Sequence, residues 1–393
     1  MRPVGHIRSR CSDTWEVRYS LGRDPATGKR RVATTTVHGK RRDAERELRR
    51  LLRTLDLGEH VDPTRMTTSQ WLDRWLDAMR DSVSPKTHER YSEIVANFLS
   101  PELGALPITK LAPAHIQAAY AKWATSGRLD GKEGGLSALT RRHFHRVLRS
   151  ALGRAVEQQV IARNPTDAFR KRLPKVERRP MVTLSTEQSN RLLDAIRHTR
   201  LYWPCMVALA TGMRRGEILA LRWKNVDLER AVVRVTESLE QTKAGLRFKA
   251  PKTDRFRSVT LPRYAVADLR RLKRTQAERL LAIGVRQTGD TLLCAREDGE
   301  PHQPRSLTHE FTRALARVTD LPRVRFHDLR HSHATQLLLA GVHPKVAQER
   351  LGHSSVTVTL DVYSHVTTTM QEDAADRLDE AFQRATNRSN RMD

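Results

Sequence analysis

Cysteine is scarce in this chain and long apolar runs are missing from it, and each shortage removes a class of protein. The three cysteines, Cys11, Cys205 and Cys294, stand far apart and show no metal-ligand spacing, which points to a reducing compartment. No stretch approaches the roughly 18 consecutive apolar residues of a membrane span, and the opening MRPVGHIRSR lacks the apolar core of a secretory signal. A cytoplasmic protein with no membrane partner is expected. There is no internal repeat and no low-complexity tract, and acidic residues are the minority. Asp plus Glu number 45 against 71 Lys plus Arg, a formal charge of +26 that favours a polyanionic partner, nucleic acid before all others. A merely soluble basic protein or a membrane-surface binder would share that charge.

The 393 residues accommodate two or three domains, and the pattern changes three times along them. Residues 1–62 form a basic module in which TWEVRYSLG and RRVATTTV carry strand-type residues around the turn RDPATGK. A helix follows from Arg41 to Leu57, with Ala44, Leu48, Leu51, Leu52 and Leu55 at helical spacing. Residues 63–172 read as a four-helix bundle, with Thr67 or Thr68 capping the first helix and Ser84-Pro85 opening the second. Its insertion SGRLDGKEGG, Ser126 to Gly135, is a flexible connection and no phosphate cradle, because no strand precedes it and no Lys-Ser/Thr follows its glycines. Residues 173–180 belong to the basic, proline-bearing linker in RKRLPKVERRP, and 181–393 mix helices with a small antiparallel sheet built from AVVRVTES, GLRFKAP and RFRSVTLP. Within that last region Ser185 and Gln188 make a capping box. The expected fold is therefore multidomain α+β: a small sheet plus helix, a helical bundle, and a mostly helical domain with a small sheet.

Two clusters carry side chains suited to chemistry. In ALATGMRRGEILALRW the apolar pattern breaks at Thr211 and Gly212, just before Arg214, which shares a face with Glu217. In FHDLRHSHATQLLLAG, residues Leu329, Ala334, Leu337 and Leu338 form an apolar stripe and Gly341 sits where a left-handed cap is wanted. His327, Arg330 and His331 occupy the opening turns of that helix, so imidazole and guanidinium can address one anionic group. Downstream come LGH and, after VTVTLDV, Tyr363.

The ordered set T-G-x-R-x-x-E, H-x-x-R, L-G-H and Tyr363 resembles the tyrosine recombinase (phage integrase) family. That resemblance implies an arm-type DNA-binding module, a helical core-binding domain and a catalytic domain. It implies an enzyme, a site-specific DNA recombinase that cuts and rejoins double-stranded DNA through a 3′-phosphotyrosyl intermediate. Integration or excision of a phage or mobile element would follow. Tyr363 would be the nucleophile, Arg214 and Arg330 the clamp on the non-bridging phosphate oxygens, and His327 and His353 the groups for proton transfer or hydrogen bonding. Lys252, in the turn PKTDR, would be the general acid for the leaving 5′ oxygen, with Lys243 and Lys249 as neighbours that could compete for the part. Glu217 would orient Arg214. No metal and no other cofactor is implied. The partners implied are core and arm attachment sites, further copies of the chain in a homotetramer, and accessory bending or directionality factors.

Other readings compete with this one. His327 and His331 stand four apart like the histidines of H-E-x-x-H zinc proteases, but Arg330 on the same face opposes a zinc ion and Asp328 is a shorter acid than the usual Glu. A type IB topoisomerase-like nicking and closing enzyme would use similar chemistry as a monomer. A DNA-binding regulator without chemistry would explain the charge but not Arg214, His327, Arg330, His353 and Tyr363 together. His331, His333, His343 and His365 match no position that the resemblance requires and are expected in supporting or surface places. Periodicity makes VTVTLDV a strand, whereas the family has a helix there. The stretch Met370 to Ala385 reads as an amphipathic helix, able to dock on a neighbouring protomer or on its own domain.

Overall fold

The computed structural model describes residues 5–23, 27–56, 64–170, 172–177, 181–251, 256–353 and 355, together with 375, 378, 379 and 383. Lys252, Tyr363, His365 and the segment 356–362 lie outside the described residues, as does most of the C-terminal stretch. The chain divides into two compact units, Met1–Glu177 and Arg178–Asp393.

The first unit opens with an antiparallel sheet of order β1-β2-β3: Gly5–Cys11, Thr14–Arg23 and Arg30–His38. Strand β1 is an addition to the two strands expected from sequence. Its residues are all exposed or half-buried, so no apolar alternation advertises it. Helix α1, Arg41–Asp56, follows, and Ala44 is its buried residue.

Helices α2 (Thr68–Met79), α3 (Pro85–Ile94), α4 (Ser100–Leu103), α5 (Pro113–Thr125) and α6 (Ala138–Glu157) make the helical part of this unit. The cap of α2 is Thr67, whose side chain accepts from the Gln70 N–H while Gln70 reaches back, and Ser84 caps α3 ahead of Pro85. Between α3 and α4 the backbone widens into a π-turn over Val95–Leu99. Pro101 follows and has no N–H to give the preceding turn, a recognised reason for such a bulge. Trp71, Trp75, Ile116, Trp123, Phe144 and Leu148 fill the core, and the Trp71 indole donates to the Ala151 carbonyl at 2.9 Å.

In the second unit, α7 (Thr186–Ala195) begins at the Ser185–Gln188 capping box. Helix α8 (Tyr202–Thr211) is apolar on every side and buried along nearly its whole length, the mark of a central helix. It leads into the short α9, Arg215–Ala220. The expected single sheet is in fact two. Strands β4 (Val226–Asp227), β5 (Val232–Val235) and β8 (Arg257–Thr260) form one of order β4-β5-β8, while β6 (Ser238–Thr242) and β7 (Gly245–Lys249) pair as a separate hairpin. GLRFK thus takes SLEQT as its partner rather than RSVT. SLEQT mixes polar with apolar residues and is only partly buried, so it shows little strand pattern of its own.

Helices α10 (Arg263–Ala282), α11 (Pro304–Leu315), α12 (Asp328–Leu339) and α13 (Pro344–Leu351) complete this unit. Gly341 at φ +75° follows the end of α12, as its spacing predicts. Residues 375, 378, 379 and 383 are helical. Among the described residues no helix is long and apolar enough to cross a membrane.

Candidate active site

Two left-handed glycines fix the frame of the site. Gly212 ends α8 at φ +65° and Gly352 ends α13 at φ +66°. A side chain on Gly212 would put its Cβ 2.6 Å from both the His333 ring and Leu351, so α8, α12 and α13 close on one another only where that side chain is missing. Gly212→Ala should therefore destabilise the protein by about 2–4 kcal/mol, from left-handed strain plus overpacking. Calorimetric unfolding of the pure chain checks this, and an unchanged midpoint would contradict the packing described.

Beyond Gly212 the backbone is extended at Arg214, which stands at the N-terminal boundary of α9. Glu217, three residues on, returns one oxygen to the Arg214 N–H and the other to Arg214 Nη1, both at 2.9 Å. The second guanidinium nitrogen, Nη2, donates to the Gly352 carbonyl at 2.9 Å. Arg330 arrives from the first turns of α12 and is 3% exposed. Its Nη1 donates to the Gly212 carbonyl and its Nη2 to the Leu351 carbonyl, each at 2.6 Å. The two arginines are thus held by consecutive carbonyls at the end of α13, and His353 comes next in the chain. Burial, then the Arg214 charge, pushes the Arg330 guanidinium down from its ordinary value, with Glu217 opposing. That value starts so high that the group stays charged at neutral pH.

His353 feels these cations directly. Desolvation first, then Arg330, Arg214, His331 and Arg257, pushes its imidazole down to about 4. His327 stands at the N-terminal boundary of α12 with its ring edge-on to His331, the centroids 5.2 Å apart. It too is pushed down to about 4, by desolvation and then by His331 and Arg330, although the residue as a whole is exposed. Both imidazoles are neutral at neutral pH and so can accept a proton or donate a single hydrogen bond. Asp328 is engaged elsewhere: the Arg325 N–H, Nε and Nη2 all donate to its carboxylate, at 2.7, 3.1 and 3.0 Å. Among the described residues no group of three or more His, Cys, Asp and Glu side chains is placed to hold a metal ion.

The site holds residues that the motif reading passed over. Arg257 of β8 grips the buried Glu217 with both arms, Nη1 to Oε1 at 3.0 Å and Nη2 to Oε2 at 2.5 Å. Strand alternation carried a signal for it, since Arg257 shares a face with the buried Val259 while Ser258 and Thr260 are exposed. An arginine on the inward face of a strand calls for an acid. Burial alone would raise the Glu217 carboxyl, but the hydrogen bonds and charge of Arg257, then those of Arg214, hold it below its usual range.

His333 is buried too. Its Nδ1 lies 2.7 Å from the Leu209 carbonyl and its Nε2 takes a hydrogen bond from Arg350 Nε at 3.0 Å, which assigns the proton to Nδ1. Arg350 also donates to the Ala210 carbonyl, tying α13 to the end of α8. His343 sits at the start of α13, where its Nδ1 accepts from the Lys345 N–H. Of the lysines near Lys252, Lys249 is bonded to Glu240 at 2.5 Å.

Arg214, Arg330 and His353 therefore meet at one place, with His327 beside His331 and Arg330, while Lys252 and Tyr363 are outside the described residues. Comparison with known proteins gives this arrangement its class. The profile described as "Phage integrase family" matches residues 183–370, and that described as "Phage integrase, N-terminal SAM-like domain" matches 67–124. The chain belongs to the phage integrase family, and it is a tyrosine-type site-specific DNA recombinase.

A tyrosine recombinase XerC-like protein of Caldanaerobacter subterraneus subsp. tengcongensis is 27% identical over 389 residues, spanning 94% of this chain and 96% of the relative. Among solved structures, the Tn1549 transposon integrase in complex with a circular intermediate DNA superposes with a TM-score of 0.66, at 22% identity over 79% of this chain and 99% of that one. A lambda integrase tetramer bound to a Holliday junction gives 0.53, at 21% identity over 89% of this chain and 96% of that one. These two likenesses are likenesses of fold.

Proposed function

We propose that this recombinase integrates or excises a mobile element by attack of Tyr363 on a scissile phosphate, leaving a 3′-phosphotyrosyl linkage that a second strand resolves. The observation that carries the assignment is the meeting of Arg214, Arg330 and His353 at the end of α13. Both arginines have two N–H directions spent on protein acceptors and others left over, so a phosphate can be gripped by guanidinium forks already fixed in orientation. Charge grows on the non-bridging oxygens as the pentavalent state forms, and two pre-oriented cations stabilise it with no reorganisation at that moment. A phenol ordinarily loses its proton near pH 10 or so, and the same cations favour phenolate.

His327, neutral and beside the phosphate clamp, takes the phenolic proton; His353, neutral for the same electrostatic reason, donates to a phosphate oxygen. Lys252 protonates the departing 5′ oxygen. One phosphoester is exchanged for another, so resealing needs no nucleotide.

The remaining parts follow the same reading. Residues 1–62 bind arm sites through their basic sheet and helix, 63–172 bind the core site, and 173–180 link that domain to 181–393, which cuts. Four protomers act on two duplexes in the cytoplasm, with the C-terminal tail reaching a neighbour and accessory factors setting direction. The lambda relative seen as a tetramer on a Holliday junction supports that stoichiometry. The chemistry assigned here uses no metal. A nicked core-site substrate should trap wild-type protein as a denaturant-stable covalent complex at the same rate with and without excess EDTA. Inhibition by EDTA that zinc reverses would sink the mechanism.

A further inference from the structure

We infer that Arg257 is a positioning residue for DNA cleavage: by gripping Glu217 it fixes the direction in which Arg214 meets the scissile phosphate. This rests on reading Arg214 as a phosphate clamp. Neither the ordered motif nor the assigned roles include Arg257.

The geometry separates the two arginines by job. The Arg257 side chain is 11% exposed and all three of its nitrogens are spent on protein acceptors: Nη1 and Nη2 on Glu217, and Nε on the Arg350 carbonyl at 3.2 Å. With both ends of its fork turned onto Glu217 and its Nε onto a backbone carbonyl, it is committed to the frame of the site rather than to a phosphate. The Arg214 side chain is 37% exposed, over three times as much, and receives its aim from the same carboxylate. Without Arg257 the Glu217 carboxylate would be held only by the Arg214 N–H and Nη1, both on the residue it steers, so the pair could shift together. A second planar fork on both oxygens, projecting from β8, anchors the pair to a separate element.

Arg257 also gives that carboxylate a fixed base. Its Nε bond reaches the last turn of α13, while its side chain runs beneath Gly352, where an added Cβ would lie 3.0 Å from Arg257 Cδ. Gly352 supplies the carbonyl that takes the other arm of Arg214. One arginine thereby ties β8, α9 and α13 into the frame from which Arg214 projects, and β8 begins five residues after Lys252 in the chain.

The test compares Arg257→Lys, Arg257→Met, Glu217→Gln and the double variant that combines Glu217→Gln with Arg257→Met, all in the full chain. Measured for each are the rate of covalent-complex formation on saturating nicked core-site DNA, the affinity for that DNA, the melting temperature, and the rate from pH 8 to pH 5.5. Arg257→Lys keeps the charge and loses the fork, so it should fold and cleave roughly tenfold more slowly; Arg257→Met should lose about 100-fold, the scale of a misaimed catalytic group. Affinity should stay within about threefold, because Arg257 touches no phosphate.

With Arg257 gone, the Glu217 carboxyl titrates closer to neutrality, keeping Arg214 from its own segment and Arg330 from α12 as the cations that face it. The Met variant should then lose rate on acidification faster than wild type, and that extra loss should vanish in the double variant, where the carboxyl has been replaced by an amide that does not titrate.

Either Arg257 variant cleaving at wild-type rate, losing rate only as its folded fraction falls, or keeping the wild-type pH profile would overturn the inference. Absence of any covalent band from wild type would overturn the strand-transfer reading instead.

Discussion

Replacing Tyr363 by phenylalanine should leave a protein that folds, binds core-site DNA and never becomes joined to it. The substitution removes one oxygen and keeps the ring, so packing around it is preserved. Affinity for a duplex comes mainly from lysine and arginine on phosphate, and a chain of formal charge +26 does not lose that with one hydroxyl. Chemistry depends on the hydroxyl entirely, since no other atom of the side chain can form the phosphoester. On a nicked substrate whose short strand diffuses away, wild type should accumulate a band that survives denaturation and the Tyr363→Phe variant should show none. A band persisting in the variant, or mapping by peptide mass to Tyr264 or another tyrosine, would refute the nucleophile and the register of the motif with it.

That register is where sequence reading was strongest. Thr211-Gly212, Arg214 with Glu217, and Gly341 could all be placed without coordinates, because each is a local event: a break in the apolar pattern, a face shared at three-residue spacing, a left-handed cap. The Ser185–Gln188 capping box was readable for the same reason, and of the two candidates Thr67 and Thr68 the cap of α2 is Thr67. What sequence reading missed is non-local or silent in hydrophobicity. Strand β1 is too exposed to alternate, and the partner of GLRFK is decided by pairing energetics between two polar strands. Arg257 and Glu217 stand 40 positions apart, so their bond is invisible to any window of a single helix or strand. His333 was expected in a supporting or surface place, and its burial between the Leu209 carbonyl and Arg350 makes it the first of these, by contacts too distant in sequence to foresee.

The two clamp arginines should behave differently when removed, although both belong to the same site. Each should slow covalent-complex formation by about two to three powers of ten, the usual loss for one pre-oriented donor to a developing oxyanion. Their costs to the fold diverge. Arg214→Ala leaves Glu217 still held through both oxygens by Arg257, and the Gly352 carbonyl lies at a half-buried residue that water can reach, so melting should shift little. Arg330→Ala empties a position that is 3% exposed and strips the partners from the Gly212 and Leu351 carbonyls, both in buried residues. Unpaired acceptors and a cavity together cost about 2–4 kcal/mol. In a unit of this size that lowers the melting temperature by roughly 5–10 °C. Arg330→Lys should recover part of the stability, since an ammonium can bond one of the two carbonyls, but little of the rate, because a point charge cannot bridge two acceptors and a phosphate at once. Thermal melting alongside single-turnover cleavage separates the cases. Equal melting of the two alanine variants would mean that Arg330 is not the structural pin between α8 and α13 that its hydrogen bonds make it.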